Sequence, residues 1–494
     1  MKYNILFGGK AGQGSNTLTH ILAETLAEQG YYVFYYRDYM SLIRGGHSFN
    51  ILTFSDKPVH SHESKYEIIV ALDENTINLH KKDLKKKGVL IQGKYPNMYF
   101  AGRMYKSLGL SFKLLDKKLK GLARYKENLI EAKKGYSEEK NNFNIKKVPK
   151  LIRKFSSGSV AVADGAIKSG INNYFAYPMT PATAVLVELA QKQKQNGHLV
   201  LELENEIAVA NAGAGCAITG AKTMVGTSGG GFCLMTEALS MCGIAKIPLV
   251  FYLAQRAGPA SGVATYTAQA DLHLARHSGH GEFSRVVLAP GDPVEAEELT
   301  SQVFYLTQKY GIPGILISDK HLAESYFTTE KNPVITKVGH LTKFGRYNSY
   351  EQDSKTGSGT EDAVIVKKNV EERKKIGERL RKECEKFDGF KIYGKKNSKN
   401  CVIFWGSTKG AVLDVISGLD ICAIQILYVE PFPLRVQKIL EGKEKIVAVE
   451  NNSTGQLCDL IREKTGILIK DKILRYDARP FLCDELEKEL RGKF

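Results

Sequence analysis

Three stretches decide the fold: YPMTPAT at Tyr177–Thr183, ELENEIAVANAGAGCAITG at Glu202–Gly220 and GTSGGGFCLM at Gly226–Met235. In each, an apolar β-like run stops at a small or polar turn that opens a helix, which is where open α/β sheets put their ligand sites. The three turns are expected to share one crevice.

Working outward, β-like runs from Val160 to Phe327 (NYFAYP, HLVLELE, KTMVG, PLVFYLAQ, RVVLAP, GILISDK) alternate with helical patterns such as VEAEELTSQVFYLTQKY. That alternation predicts parallel strands joined by helical crossovers. The amino-terminal region begins strand, glycine turn, helix (YNILFGG, KAGQGSNT, LTHILAETLAEQG), and the last hundred residues alternate again through CVIFWGST, ICAIQILYV and KIVAVENN. The predicted organisation is three α/β domains at 1–145, 158–335 and 399–494, with a linker and helix at 336–398. Within the linker, 340–368 is rich in Gly, Ser, Thr and Lys, and a charged helix is expected from Val370 to Phe387.

A chain of 494 residues is too long for one ordinary core. Its 43% hydrophobic and 25% charged content is that of a globular protein. The net charge of +17 raises the question of nucleic acid, an anionic membrane or an acidic protein partner. Much of it sits in Lys runs (Lys81–Lys87, Lys117–Lys120, Arg373–Lys382) without interleaved aromatics, so solvated faces are preferred to a nucleic-acid site, with a docking surface for a small acidic protein left open. Eight cysteines are scattered with no Cys-x-x-Cys pair, which argues for a reducing compartment and no metal cluster of the chain's own. MKYNILFGG enters a strand directly, without a signal-peptide pattern, and no apolar span reaches about 20 residues. A cytoplasmic protein is expected.

Glu206 stands at the head of an Ala/Gly-rich helix, where a buried carboxyl can hold or donate a proton to a heteroaromatic nitrogen. The alternative is a helix-start carboxylate satisfied by its own backbone amides. Thr180, followed by Pro181, reads equally as a helix N-cap with Pro at the first position. Arg256, after PLVFYLAQ, reads as a surface salt-bridge partner or as a bidentate clamp for a carboxylate. GGKAGQG (Gly8–Gly14) lacks the full G-x-G-x-x-G spacing and an acidic ribose ligand, though a glycine turn at a helix start can receive an anion.

The three stretches, followed by LAQRAGPASG (Leu253–Gly262) and HSGHGEF (His277–Phe283), resemble in order the alpha subunit of the 2-oxoacid:ferredoxin oxidoreductases. GGKAGQG and RDYMSLIRGGHSF (Arg37–Phe49) resemble that family's gamma domain, and YVEPFP (Tyr428–Pro433) and VENNSTGQL (Val449–Leu457) its carboxy-terminal, transketolase-C-like domain. The resemblance implies a fused gamma-type domain, a thiamine diphosphate pyrimidine-type domain and a carboxy-terminal domain. It also implies oxidative decarboxylation of a 2-oxoacid of the pyruvate or 2-oxoglutarate class to an acyl-coenzyme A, with reduction of ferredoxin.

By motif alignment Glu206 holds the position of the carboxyl that faces the aminopyrimidine N1′, with Glu204 as the other candidate of a split acidic pair. Tyr177, Pro178, Thr227 and Ser228 are implied in cofactor binding, and Thr180 and Arg256 in binding substrate. Neither Ala163-Asp164-Gly165 nor Gly291-Asp292-Pro293 is followed by the Asn ligand that a magnesium–diphosphate site requires. The site is therefore expected to be completed by a beta subunit carrying the diphosphate and magnesium site and an iron–sulfur cluster, in a hetero-oligomer with coenzyme A as co-substrate. Departures from the family pattern at Met179, Ala182-Thr183 and Gly229-Gly230-Gly231 leave the choice of 2-oxoacid open. Two other readings are a non-catalytic scaffold that recruits an acidic partner and a dinucleotide-binding oxidoreductase using GGKAGQG.

Overall fold

A computed structural model describes residues 1–40, 45–151, 153–339 and 348–494; Ser41–Arg44, within the RDYMSLIRGGHSF stretch, lie outside the described residues. The chain forms two compact units. One holds Met1–Ser156 with Ser325–Lys331 and Phe481–Lys488, and the other holds Ser157–Glu324, Asn332–Pro480 and Glu489–Phe494. The first unit thus takes in two segments that the sequence alone places in later domains. Among the described residues no helix is long and apolar enough to cross a membrane.

The first unit is built on a seven-stranded sheet in the order Leu84–Gln92, Tyr66–Ala71, Lys2–Lys10, His47–Ser55, Tyr32–Asp38, Tyr326–Thr329, Lys154–Ser157. Lys2–Lys10 runs parallel to Tyr66–Ala71 and antiparallel to His47–Ser55. GGKAGQG spans the end of the strand Lys2–Lys10 and the turn that opens the helix Ser15–Glu28, with Gly14 at φ 87° as its N-cap. Part of a Lys run lies in an edge strand here: Leu84–Gln92 contains Lys85, Lys86 and Lys87, while its pairing with Tyr66–Ala71 is made by Leu84 and Val89–Gln92, with a register shift at the three lysines. Lys on an edge discourages further strand pairing.

The second unit contains two sheets. The first comprises β1 (Asn173–Ala176), β2 (Leu199–Glu202), β3 (Thr223–Thr227), β4 (Val250–Gln255), β5 (Val286–Leu288) and β6 (Gly314–Asp319), all parallel, in the order β2-β1-β3-β4-β6-β5. β4 and β6 are buried along their whole length, as strands covered by helices on both faces must be. The strand order reverses between β1 and β3, so the crevice of this sheet opens beyond the carboxyl ends of those two strands.

The last sheet comprises β7 (Phe390–Gly394), β8 (Asn400–Trp405), β9 (Cys422–Ile426), β11 (Lys445–Glu450) and β12 (Asp471–Leu474), in the order β7-β9-β8-β11-β12. The run ICAIQILYV, expected as one strand, is two. It breaks at Leu427, and its second half, β10 (Tyr428–Glu430), leaves the last sheet and pairs antiparallel with β5 of the other. The cause is tertiary: Leu427 N and Tyr428 N both donate to Gly389 O, at 3.0 and 2.9 Å, while Leu427 O accepts from Ala289 N at 2.8 Å. β7 adds a strand in a stretch expected to be linker. The charged helix is Ala363–Cys384, starting earlier than the expected Val370 because Asp362 caps it by accepting from Val364 N and Ile365 N, each at 2.9 Å.

Candidate active site

Four strand ends line up at the reversal. β2 leads into the helix Glu206–Ile218, and Asn205 rather than Glu206 caps that helix, its Oδ1 accepting from Ala208 N at 2.9 Å. The Glu206 carboxyl is thereby left out of backbone capping. The residue is 4% exposed, and its Oε1 has no hydrogen-bond partner among the described residues. An unpartnered buried carboxyl oxygen costs free energy unless a ligand completes it.

β3 ends at Thr227 and Ser228, both fully buried. Thr227 Oγ1 lies 3.4 Å from Ser228 O and 3.9 Å from Met179 Sδ. Ser228 is the N-cap of the helix Gly229–Ala245 yet makes no side-chain capping bond, and its Oγ is a second buried group with no partner among the described residues. Gly231, in the first turn, sits directly beneath the carboxyl, for a Cβ there would overlap both Glu206 Oε1 and Thr227 Oγ1. Thus Glu206 and Thr227, from two strand ends, converge at Gly231, with Ser228 next in sequence to Thr227.

β1 leads to Tyr177 and Pro178, exposed at the rim, and then to half-buried Met179 and Thr180. Thr180 is not the N-cap. The helix begins at Thr183 with Ala182 before it, and the chain turns between, with a cis Thr180–Pro181 peptide and a bond from Thr183 N to Met179 O at 3.2 Å. The Thr180 carbonyl instead receives Arg256 Nη1 at 3.0 Å, which ties the end of β4 to the loop after β1. Arg256 is partly buried, its Nε has no partner among the described residues, and burial pushes its guanidinium below the ordinary value. Glu204 is exposed, whereas Glu206 is buried.

Asp271, which no sequence motif marks, also adjoins the head of the helix Gly229–Ala245. Its main-chain N–H donates to Gln255 Oε1 at 2.9 Å, and its carboxyl lies against Gly229, where a Cβ would overlap it. Burial pushes this carboxyl up to about 6. An Asp before the short apolar helix Leu272–His277 reads as an ordinary N-cap, which conceals it; in the structure its side chain makes no cap bond. The two Asp residues weighed for magnesium are otherwise engaged. Asp164 lies inside the helix Gly158–Lys168 and pairs with Lys192 at 2.8 Å, whereas Asp292 caps the helix Pro293–Tyr310 and binds Lys409.

This sheet order with an acid at the switch point belongs to a cofactor-binding class, and the family comparison names it. Residues 164–379 match the model described as "Pyruvate flavodoxin/ferredoxin oxidoreductase, thiamine diP-bdg", and residues 4–99 match "Pyruvate ferredoxin/flavodoxin oxidoreductase". A 2-oxoacid:ferredoxin oxidoreductase subunit alpha from a Sulfolobus species is 30% identical, with 99% of this chain and 96% of the relative covered. A 2-oxoglutarate synthase subunit from Archaeoglobus fulgidus is 29% identical over 61% of this chain and 88% of its own length. The solved 2-oxoglutarate:ferredoxin oxidoreductase from Magnetococcus marinus superposes with a TM-score of 0.89 at 22% identity, covering 100% of this chain and 99% of that one, a likeness of fold. The chain belongs to the 2-oxoacid:ferredoxin oxidoreductases, as an alpha subunit with an amino-terminal gamma-type region, and is an enzyme subunit.

Proposed function

We propose that this chain supplies the aminopyrimidine half of a thiamine diphosphate site, and that with a second subunit it converts a 2-oxoacid and coenzyme A to acyl-coenzyme A and carbon dioxide while reducing ferredoxin. The observation that carries this is the unpartnered Oε1 of buried Glu206 at the β1/β3 switch point. A non-catalytic scaffold would have no need of such a group.

The residues fit the cofactor's ring end. Glu206 Oε1 and Ser228 Oγ are orphaned and buried, and Gly231 keeps the space beside the Glu206 carboxyl and Thr227 Oγ1 clear. Glu206, Thr227 and Ser228 would hold the ring, with Tyr177 and Pro178 at its rim. When bound, the cofactor supplies the carbon nucleophile that the reaction needs. Glu206 would hold a proton at the ring nitrogen N1′, Arg256 would pair with the substrate carboxylate, and Thr180 would hydrogen-bond the substrate carboxylate or its 2-oxo group.

Asp164 and Asp292 are committed to Lys192 and Lys409, which supports placing magnesium and the diphosphate on the second subunit, together with the iron–sulfur cluster. The helices Glu206–Ile218 and Gly229–Ala245 also expose Ile207 and Leu234 on their outer sides, and helices apolar nearly all round belong in a covered position. That face is where the second subunit would sit.

The test is Glu206→Gln in the complex reconstituted with the second subunit. Cofactor should still bind, read by calorimetry, while 2-oxoacid-dependent carbon dioxide release falls at least about 100-fold. Turnover near that of the unaltered complex would reject the assignment.

A further inference from the structure

The helix Ala363–Cys384 repeats every seven residues, as KKNVEER at Lys367–Arg373, KKIGERL at Lys374–Leu380 and then Arg381-Lys382. Seven residues are close to two full turns, so equivalent positions return to one side of the helix. Lys367, Lys374 and Arg381 therefore form one row, and Lys368, Lys375 and Lys382 a second beside it. All six are exposed, while Leu380 and Cys384 turn inward. Each row runs about 21 Å at 1.5 Å per residue.

None of these six cations enters an ion pair among the described residues, and the carboxylates that lie between the rows, Glu371 and Glu378, are too few to neutralise them. Other Lys-rich segments differ: Lys85 meets Glu67 at 2.5 Å and Glu63 at 3.4 Å, and Lys118 meets Glu28 at 2.7 Å and Glu24 at 2.8 Å. A solvated helix would gain from the available i,i+4 pairs. Here the charge is left presented. On its inner side the same helix contributes Arg373 to a groove of about 770 Å³ lined by Ile207, Leu234 and Met241, on the apolar face just assigned to the second subunit.

We propose that the twin cationic rows are the landing surface for the acidic electron carrier, a ferredoxin, beside the subunit that holds the cluster. This rests on the function proposed above. Complementary charge raises the association rate and fades with salt, while most of the contact remains exposed.

The experiment uses the reconstituted complex carrying Lys374→Glu with Lys375→Glu, and separately Lys374→Gln with Lys375→Gln. Reduction of a small viologen dye reads the decarboxylation itself, and titration of oxidised ferredoxin by surface plasmon resonance reads the landing surface, so failure of one is seen apart from failure of the other. The expected result is unchanged dye reduction, at least a tenfold weaker ferredoxin affinity in the Glu pair, a smaller loss in the Gln pair and a flatter dependence on salt in both. Unchanged affinity and salt dependence in both variants would overturn the proposal. So would equal, similarly weakened binding of duplex DNA or of vesicles rich in anionic lipid, which would make the rows a general polyanion surface.

Discussion

Gly231 abuts the Glu206 carboxyl so closely that no side chain can stand between them. The glycine is required by space, since its φ is not in the left-handed region. Gly231→Ala is expected to push the carboxyl out of line. Overpacking of this kind costs about 1–3 kcal/mol. The loss in activity should be larger than the loss in stability, at least about 100-fold in kcat/KM, because sub-ångström placement of a proton-holding group governs its effect. Steady-state rates set beside a thermal melt would check this; a variant with full activity would show that the carboxyl can shift freely.

Arg256 spans the ends of β4 and β1 through the Thr180 carbonyl while its Nε remains without a partner among the described residues. Arg256→Ala should raise the KM for the 2-oxoacid at least about tenfold with a smaller change in kcat. Arg256→Lys should not restore it, because a point charge cannot reproduce the planar fork. Initial-rate measurements over a range of 2-oxoacid concentration would separate the two parameters.

Asp271 links pH to stability. With its carboxyl pushed up to about 6 in the folded chain, the folded state binds the proton more tightly than the unfolded one. Its contribution is therefore present below pH about 4 and lost as pH rises through about 6. Asp271→Asn removes that titration, so the variant should gain relative to the parent between these pH values, by about 2 kcal/mol. Urea unfolding at pH 4.5 and 6.5 is the measurement; parallel changes in both proteins would exclude a role for this group.

Lys409 is buried with Asp292 and Glu295, and their carboxylates hold its ammonium well above the ordinary lysine value despite the opposing effect of burial. Removing one partner of such a group leaves charge uncompensated, and Lys409→Met should cost about 3–5 kcal/mol. The further change Glu295→Gln should recover part of it. Differential scanning calorimetry on the single and double variants would decide.

Much of the architecture was legible because apolar runs bounded by turns, such as PLVFYLAQ and GILISDK, can only be buried parallel strands when helices separate them. β10 was hidden, since ICAIQILYV carries no breaker and its division at Leu427 is imposed by main-chain bonds from Gly389 and Ala289, residues distant in sequence. Lys85–Lys87 fall within an edge strand, but a register shift between Tyr66 and Ile68 carries them outside the ladder, so the charge run keeps the largely solvated face that its composition suggests. At the crevice, motif order pointed to Glu206, but that Asn205 relieves it of capping is visible only in three dimensions. Thr180 fits a cap or a substrate contact in the sequence alone; that the helix starts at Thr183 after Ala182, and that the Thr180 carbonyl accepts from Arg256, is visible only in the fold.

The exchange at Leu427 has a practical corollary. Because β10 completes the edge of the sheet that carries Glu206, a fragment ending after Asp319 would bare the backbone of β5 and invite it to pair with a neighbouring molecule. Anyone wishing to splice this crevice into another scaffold must carry its carboxy-terminal companion along, or design a surrogate strand to seal the border.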